Sequence, residues 1–578
     1  MKDNSDSSHR LPEKESGIDK ILLAMLPFWD PLIPPQGISH LKHFLQHHGF
    51  YVKTLDANTG EEFKELYNKY FTVLRKHVPE NKQGNFFNIG HDVLRNHLIA
   101  HVHKDKDTGY GYLELVNDIV YQTFFVRLYA QYVVELDDIL TEFYIRLGRY
   151  IRYWLNREKP GVLGLSVPRD CIGPAMFAFR LAKITFPSIK TVMGGSVFSD
   201  HLWKGTPNFE SFLEKAPYID HIIIGEGQNL FLRLLRGQLP KSQRVFTLED
   251  INGECLGYSP LNVPNMMDFN IQRDYPYLAA QASSGCPFQC SFCNVKAFFG
   301  NFRKKDPHQV VEEMNALYKK YGLQLFFMND ALLNPVIDEL ADAFINTGTA
   351  LYWDGYLRVD KSVCIRENPL KWRRGGYYRA RVGVESGSQH VLDLMHKNIT
   401  PDQIQETLFN LANAGIKTTA YWVIGHPGET EEDFLQTLEL LEETCNYIFE
   451  AECNPFIFGY RGQTDSESWK DKRKLLYPEE AEDMLVIQSW YAEGSPSREE
   501  TYRRVNHFVQ HCDKLGIPNP YSLHDIYCAD QRWQKLHKNA VPPLVKFKEK
   551  NAYIDECKHV KELVLMQNTY RDEGDFGF

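Results

Sequence analysis

The chain predicts an α/β protein: a doubly wound parallel sheet, then a partial (β/α)6 TIM-like barrel, then a helical C-terminal region. Three observations carry this. Over 18–253, short apolar runs end repeatedly at Gly, Pro or Ser, the pattern of buried parallel strands. Over 275–460, such runs alternate with helix-length amphipathic segments, the pattern of β-α units. At 578 residues the chain also exceeds one ordinary core, so two or three domains are expected. The expected division is a disordered leader (1–17), a first domain (18–253) with a helical insertion at about 59–159, a linker (254–274), the barrel (275–460) and the helical region (461–578).

Composition narrows the function. Hydrophobic residues at 43% and charged residues at 24% are values of a soluble globular protein. The net charge, 65 − 75 = −10, comes without a basic tail and weighs against nucleic acid as the main partner. Eleven cysteines, an odd number spread over a long chain, do not form a disulfide framework and suit a reducing cytoplasm. No signal-peptide pattern opens the chain and no apolar run reaches the length of a membrane span.

Taken in order, 21–27 (ILLAMLP) reads as a strand. Residues 38–48 read as a helix on the spacing Ile38, Leu41, Leu45 with a stop at Gly49, and 51–55 as a second strand. In the insertion, His97 and His101 share one helix face and His103 follows. All three are expected at the surface, because no Cys or carboxylate partner is evident nearby in sequence. Alternation resumes with strands at 162–167, 190–193 and 221–225, separated by helices at 174–185 and 209–215, and with a helix after Gly227. Five strands of this kind place a ligand crevice at their carboxyl ends. Gly37, Ser166, Gly194, Gly195, Gly225, Glu226 and Gly227 occupy the turns there, and small residues let a large ligand lie against backbone.

The barrel opens with a strand at 277–284 that runs into SSGCPFQCSFCNV (283–295), with Cys286, Cys290 and Cys293 at the spacing C-x3-C-x2-C. Thiolates this crowded repel unless a metal neutralises them, and iron–sulfur clusters are held mainly by Cys thiolates. A structural zinc site would need a fourth ligand. None follows at finger-like spacing, since Cys255 lies well upstream and Cys364 well downstream. Strands follow at 324–328, 351–357, 380–385, 417–424 and 451–458, with helices at 308–321, 335–347, 389–395, 401–414 and 431–445. The active site of such a barrel sits at the carboxyl ends of its strands. Asn329, Asp330, Arg358 and the segments 385–388 and 425–430 gather there, with Thr430 reading as a helix N-cap. The aromatic-rich tail either shapes the pocket from the barrel's open side or only stabilises it. Cys512, Cys528 and Cys557 are too dispersed for a second cluster.

The cysteine spacing with Phe292 before the last cysteine, followed by GVESGSQHVLDLMHK and WVIGHPGETEEDF, resembles the radical S-adenosylmethionine (SAM) enzymes. The ordered set PPQG, LGLSV, MGGS and D-x-I-I-I-G-E-G resembles the Rossmann-like cobalamin-binding domain ahead of many such cores. The resemblance implies a [4Fe-4S] cluster on Cys286, Cys290 and Cys293, with SAM chelating the free iron and breaking to a 5′-deoxyadenosyl radical. It also implies that Phe292 flanks the adenine and that the backbone at Ile424 and Gly425 supports it. Glu385 and Ser386 would meet the ribose or methionine moiety, Asp330 the methionine amino group, and cobalamin would lie on the glycine-rich turns. Two departures stand out: the usual glycine-glycine-glutamate is missing at Asp330, and the loop 28–37 lacks the cobalt-ligating histidine of D-x-H-x-x-G. A lost ligand also fits a degenerate domain that binds nothing.

The function so implied is methylation of an unactivated carbon of a small natural-product intermediate or peptide, with a flavodoxin or ferredoxin as electron donor. The same cofactors also serve non-methylating cyclisation, rearrangement or oxidation, and a cobalamin-binding sensor or scaffold is the alternative from another class. A methylthiotransferase is disfavoured, because no second cysteine triad precedes Cys286.

Overall fold

The computed structural model describes residues 20–27, 32–105, 109–199, 201–257, 263–460, 467–519 and 523–537. The expected leader and Cys557 lie outside the described residues, as does the side chain of Cys528.

The first sheet contains β1 (Lys20–Met25), β2 (Tyr51–Asp56), β3 (Val162–Ser166), β4 (Lys190–Gly194), β5 (His221–Ile223) and β6 (Val245–Phe246). All pair in parallel, in the spatial order β2-β1-β3-β4-β5-β6. The sequence predicts only five strands, and the sixth is two residues long, too short to register as an apolar run. Strand order reverses between β1 and β3, which opens a crevice at their carboxyl ends.

Beyond the exposed Lys20, β1 is apolar because both faces of the sheet are covered. Ile21 and Leu23 pack with Ile38, Phe44 and Leu45 of α1 (Gln36–His47). The alternate residues, Leu22 and Ala24, join the core of the helical insertion. That insertion comprises α2 (Glu61–His77), α3 (Phe86–Val102), α4 (Tyr112–Phe124) and α5 (Ala130–Glu158).

One expectation fails here. His97, His101 and His103 are buried, not on the surface. His101 Nδ1 lies 2.6 Å from the Asp137 carboxylate, which also accepts the Tyr112 hydroxyl, while His103 Nδ1 meets the Ile99 carbonyl at 2.9 Å. Asp137 sits on α5 and reaches the histidines only through helix packing, so the local sequence around them does not show it.

The linker and the first residue of the barrel are fastened to the first sheet. Asp268 accepts from Lys42, Lys53 and the Thr54 backbone, and the Tyr275 hydroxyl donates to Asp56.

The second sheet runs β7 (Leu278–Ala280), β8 (Leu325–Met328), β9 (Tyr352–Arg358), β10 (Tyr377–Glu385), β11 (Lys417–Ile424) and β12 (Glu450–Pro455). It is parallel and strictly sequential, the topology of a six-stranded partial barrel. Two details differ from expectation. Ser283–Ser284 leaves β7 and pairs antiparallel with Arg303–Lys304. An additional helix, Glu367–Arg374, precedes β10; it buries only Pro369 and Trp372, so its apolar stripe is too thin to read from sequence.

Two further helices matter for the site, α6 (Glu431–Thr444) and α7 (Arg498–Leu515). α7 packs beside the edge strand β12 and against α6. The insertion reaches the same place: the Asn85 amide donates to the Cys453 carbonyl at 2.5 Å and the Gly84 N–H to Asn506 at 3.0 Å. Tail and insertion together cover the exposed edge of the barrel. Among the described residues, no helix is long and apolar enough to cross a membrane.

Candidate active site, a cysteine-lined cavity beside a glycine-lined crevice

The cysteine loop is anchored at both ends. At its base, Ser283 Oγ and the Ala282 N–H donate to the two oxygens of Asp330 at 2.5 and 3.0 Å. Gly285 then turns the chain at φ +80°, where a Cβ would stand 3.2 Å from the Gly300 and Asn301 carbonyl oxygens. Further on, the Ser291 N–H and Oγ donate to the Met395 and Leu394 carbonyls, each at 2.9 Å.

Held this way, Cys286, Cys290 and Cys293 line one cavity of about 1130 Å³ with His426, Pro427 and Gly428. Trp469, Glu493 and Ser495 of the tail complete the wall, so the tail shapes the cavity. Cys286 and Cys290 are half-buried and Cys293 is exposed. Burial pushes the Cys286 thiol up. Among the described residues, no three His, Cys, Asp or Glu side chains group closely enough to hold a single metal ion. Three thiols around an open cavity are the donor set of a [4Fe-4S] cluster with one iron free.

Phe292, Asp330, Glu385, Ser386, Ile424 and Gly425 fasten the elements around this cavity and do not form its wall. At the end of β10 the register shifts and Glu385 takes φ +68°, a left-handed conformation unusual for a residue with a side chain. Its carboxylate pairs with Lys397 at 2.5 Å, and the Lys397 ammonium lies 5.8 Å from the Phe292 ring centre. Ser386 Oγ bonds Thr437 of α6 at 3.1 Å. The Ile424 carbonyl accepts the Phe456 N–H, and the Gly425 N–H donates to Glu429 at 3.0 Å. Asp330 is fully buried, which pushes its carboxyl up to about 6. The Thr430 cap expected from sequence is present, in a capping box with Asp433.

His426, which the sequence places in the strand-end segment 425–430 without a role of its own, belongs to the wall. It is 2% exposed; its Nδ1 donates to the Pro427 carbonyl at 3.0 Å, and among the described residues Nε2 has no partner. Burial pushes the imidazole down to about 4, so it stays neutral with a free acceptor at Nε2. The signal was its place one residue past the Ile424-Gly425 strand end.

The second cavity, about 480 Å³, lies at the carboxyl ends of the first sheet. Gly37, Ser166, Gly194, Gly195, Gly225, Glu226 and Gly227 all line it. Gly195 adopts φ +115°, and a Cβ there would fall 2.4 Å from the Val167 nitrogen. Glu226 accepts the N–H groups of Leu256 and Gly257 at 2.5 and 2.9 Å, which ties the following segment over the crevice. His40, one turn beyond Gly37 on α1, also lines it, just past the loop 28–37 that lacks the histidine of D-x-H-x-x-G.

The barrel supplies the opposite wall through Ala279, Ala280, Gln281, Ser284 and Asn329. Among the described residues, the buried Ser196 Oγ and Asn329 Oδ1 of this cavity have no partner. Each such orphan costs roughly 1–3 kcal/mol unless a ligand answers it. A ligand fringed with amide donors and acceptors, as a corrinoid is, fits that demand.

A partial barrel with a three-cysteine loop at its strand ends thus follows a doubly wound sheet with a glycine-lined crevice. Residues 281–441 match the sequence profile of the radical SAM superfamily, so this segment is a radical SAM domain. The anaerobic magnesium-protoporphyrin IX monomethyl ester cyclase of Rubrivivax gelatinosus is 26% identical over 322 residues, covering 51% of this chain and 56% of that protein. An uncharacterized methyltransferase of Pyrococcus horikoshii is 25% identical over 312 residues, covering 50% of this chain and 65% of that protein. The chain thus spans less than two thirds of the length of these relatives. The solved structure of the radical SAM methyltransferase TsrM from Kitasatospora setae, with cobalamin and a [4Fe-4S] cluster bound, has the same fold. Its TM-score is 0.55 at 12% identity, over 96% of this chain and 99% of that one.

Proposed function

We propose that this chain is a cobalamin-dependent radical SAM enzyme that methylates an unactivated carbon of a small molecule or peptide. In this reading Cys286, Cys290 and Cys293 hold a [4Fe-4S] cluster, SAM occupies the cysteine-lined cavity, and cobalamin occupies the crevice. One observation supports it above the others: Ser284 stands in the crevice wall and Cys286 in the cavity wall. Two positions of extended chain span at most about 7 Å, so the two ligand sites adjoin.

When bound, these cofactors supply a carbon-centred radical and a transferable methyl group. The protein's share is placement. Asp330 and the hairpin fix the height of the cysteine loop, and the tail closes the cavity with Trp469. His426 offers a neutral acceptor to whatever ligand lies there. The electron donor in this reading is a flavodoxin or ferredoxin, and the setting a reducing cytoplasm.

The test is anaerobic turnover with candidate substrates, following adenosine products. Methyl transfer yields S-adenosylhomocysteine and 5′-deoxyadenosine together. A second reading, radical cyclisation or oxidation with the same cofactors, is favoured by the cyclase relative and yields 5′-deoxyadenosine alone. Neither product, across a broad substrate panel, would contradict both and favour a sensor or scaffold.

A further inference from the structure

We infer that Arg358 sets the reduction potential of the cluster held by the cysteine loop; this rests on the cluster reading above. Arg358 is the last residue of β9 and only 6% exposed. Its guanidinium Nη1 donates to Cys290 Sγ at 3.1 Å, and the guanidinium carbon lies 4.3 Å from the ring centre of Phe288, two residues earlier in the same loop. The backbone beneath it is locked. Asn334 accepts the Arg358 N–H and donates to the Arg358 carbonyl, both at 2.8 Å, and also donates to Asp360 at 2.7 Å.

A buried cation is costly unless an anion meets it. Among the described residues, no carboxylate lies within ion-pair distance of this guanidinium, and the group facing it is the Cys290 sulfur. Thiolate-held clusters are net negative, and reduction adds one more electron to them. A fixed positive charge and an N–H···S hydrogen bond stabilise the reduced form more than the oxidised form and so raise the potential. Arg358 is thereby a positioning residue for the electron-transfer step: the electron comes from an external low-potential donor and rests on the cluster.

The experiment is an EPR-monitored redox titration with dithionite on the anaerobically reconstituted full chain, without SAM. It compares wild type with Arg358→Met, Arg358→Gln and Arg358→Lys at matched iron content. Arg358→Met is expected to weaken the preference for the reduced cluster at least tenfold, a shift of about 59 mV to more negative potential for a one-electron couple. Arg358→Gln, which keeps a donor without charge, should shift less, and Arg358→Lys, which keeps charge without the planar fork, least. Met and Gln variants titrating at the wild-type potential would overturn the inference. So would failure of all three variants to take up iron that the wild type accepts, which would place Arg358 in cluster assembly. A wild type that shows no cluster signal would sink the cluster reading itself, a separate result.

Discussion

The two halves of the molecule use opposite means to prepare a site. In the first domain, every residue singled out at the strand ends lines the crevice, and most are glycines. In the barrel, the cysteines line the cavity, whereas Phe292, Asp330, Glu385, Ser386, Ile424 and Gly425 stand behind its wall. A broad ligand resting on backbone needs small residues wherever it lies, so identity and role coincide. A cluster site needs a loop held at one height, and the polar residues around it are consumed in holding it.

The largest effect should come from replacing Cys286, Cys290 and Cys293 together by alanine. Iron loading and turnover should vanish, while binding of hydroxocobalamin, followed by its visible spectrum, should persist because the crevice belongs to the other sheet. Loss of both would show that the halves are not separable. Next is Gly195→Ala, which forces a Cβ against the Val167 backbone at a φ that side chains avoid. The cost should be roughly 2–4 kcal/mol, read as a lowered Tm, with cobalamin binding lost.

Smaller effects sharpen the comparison. Ser196→Ala and Asn329→Leu each remove an orphaned polar atom from the crevice. Each should weaken corrinoid binding about tenfold in equilibrium dialysis, while the ligand-free chain keeps or gains stability. Unchanged affinity in both would mean that the crevice does not use these atoms.

The smallest effect concerns pH. Burial outweighs Arg504 and the Gly425 N–H and pushes Glu429 up to about 7 from its ordinary 4.5. A raised acid stabilises fully below its unfolded pKa and loses that contribution as pH rises through the folded one. The Tm advantage of wild type over Glu429→Gln should therefore shrink between pH 4.5 and 7; a growing advantage would show that the carboxylate is preferred.

Much of the fold was legible because buried parallel strands are continuous apolar runs. β1, β2, β3 and β11 fall within about two residues of their predicted ends. β6 and the helix Glu367–Arg374 were not, one too short and one too polar. Side-chain roles were the hard part. His101 meets Asp137 and Ser386 meets Thr437 only after distant segments pack, and Glu385 meets Lys397 across the turn of a helix that follows it. Sequence spacing shows which residues share a face and not which partner arrives from another element, and this is why the histidines were misplaced. His426 stands in the strand-end segment 425–430 and His40 one turn past Gly37, but position alone does not show that either ring faces a cavity.

The central claim is that one chain holds an iron–sulfur cluster and a corrinoid side by side. The direct measurement is metal and sulfide analysis of the anaerobically reconstituted full chain after removal of unbound cofactor, with the EPR spectrum taken before and after SAM. The account predicts ~4 iron, ~4 sulfide and ~1 cobalt per chain, with a reduced-cluster signal that changes on adding SAM. A chain that retains a single zinc, or a cluster whose signal is indifferent to SAM and that retains no cobalt, would contradict it.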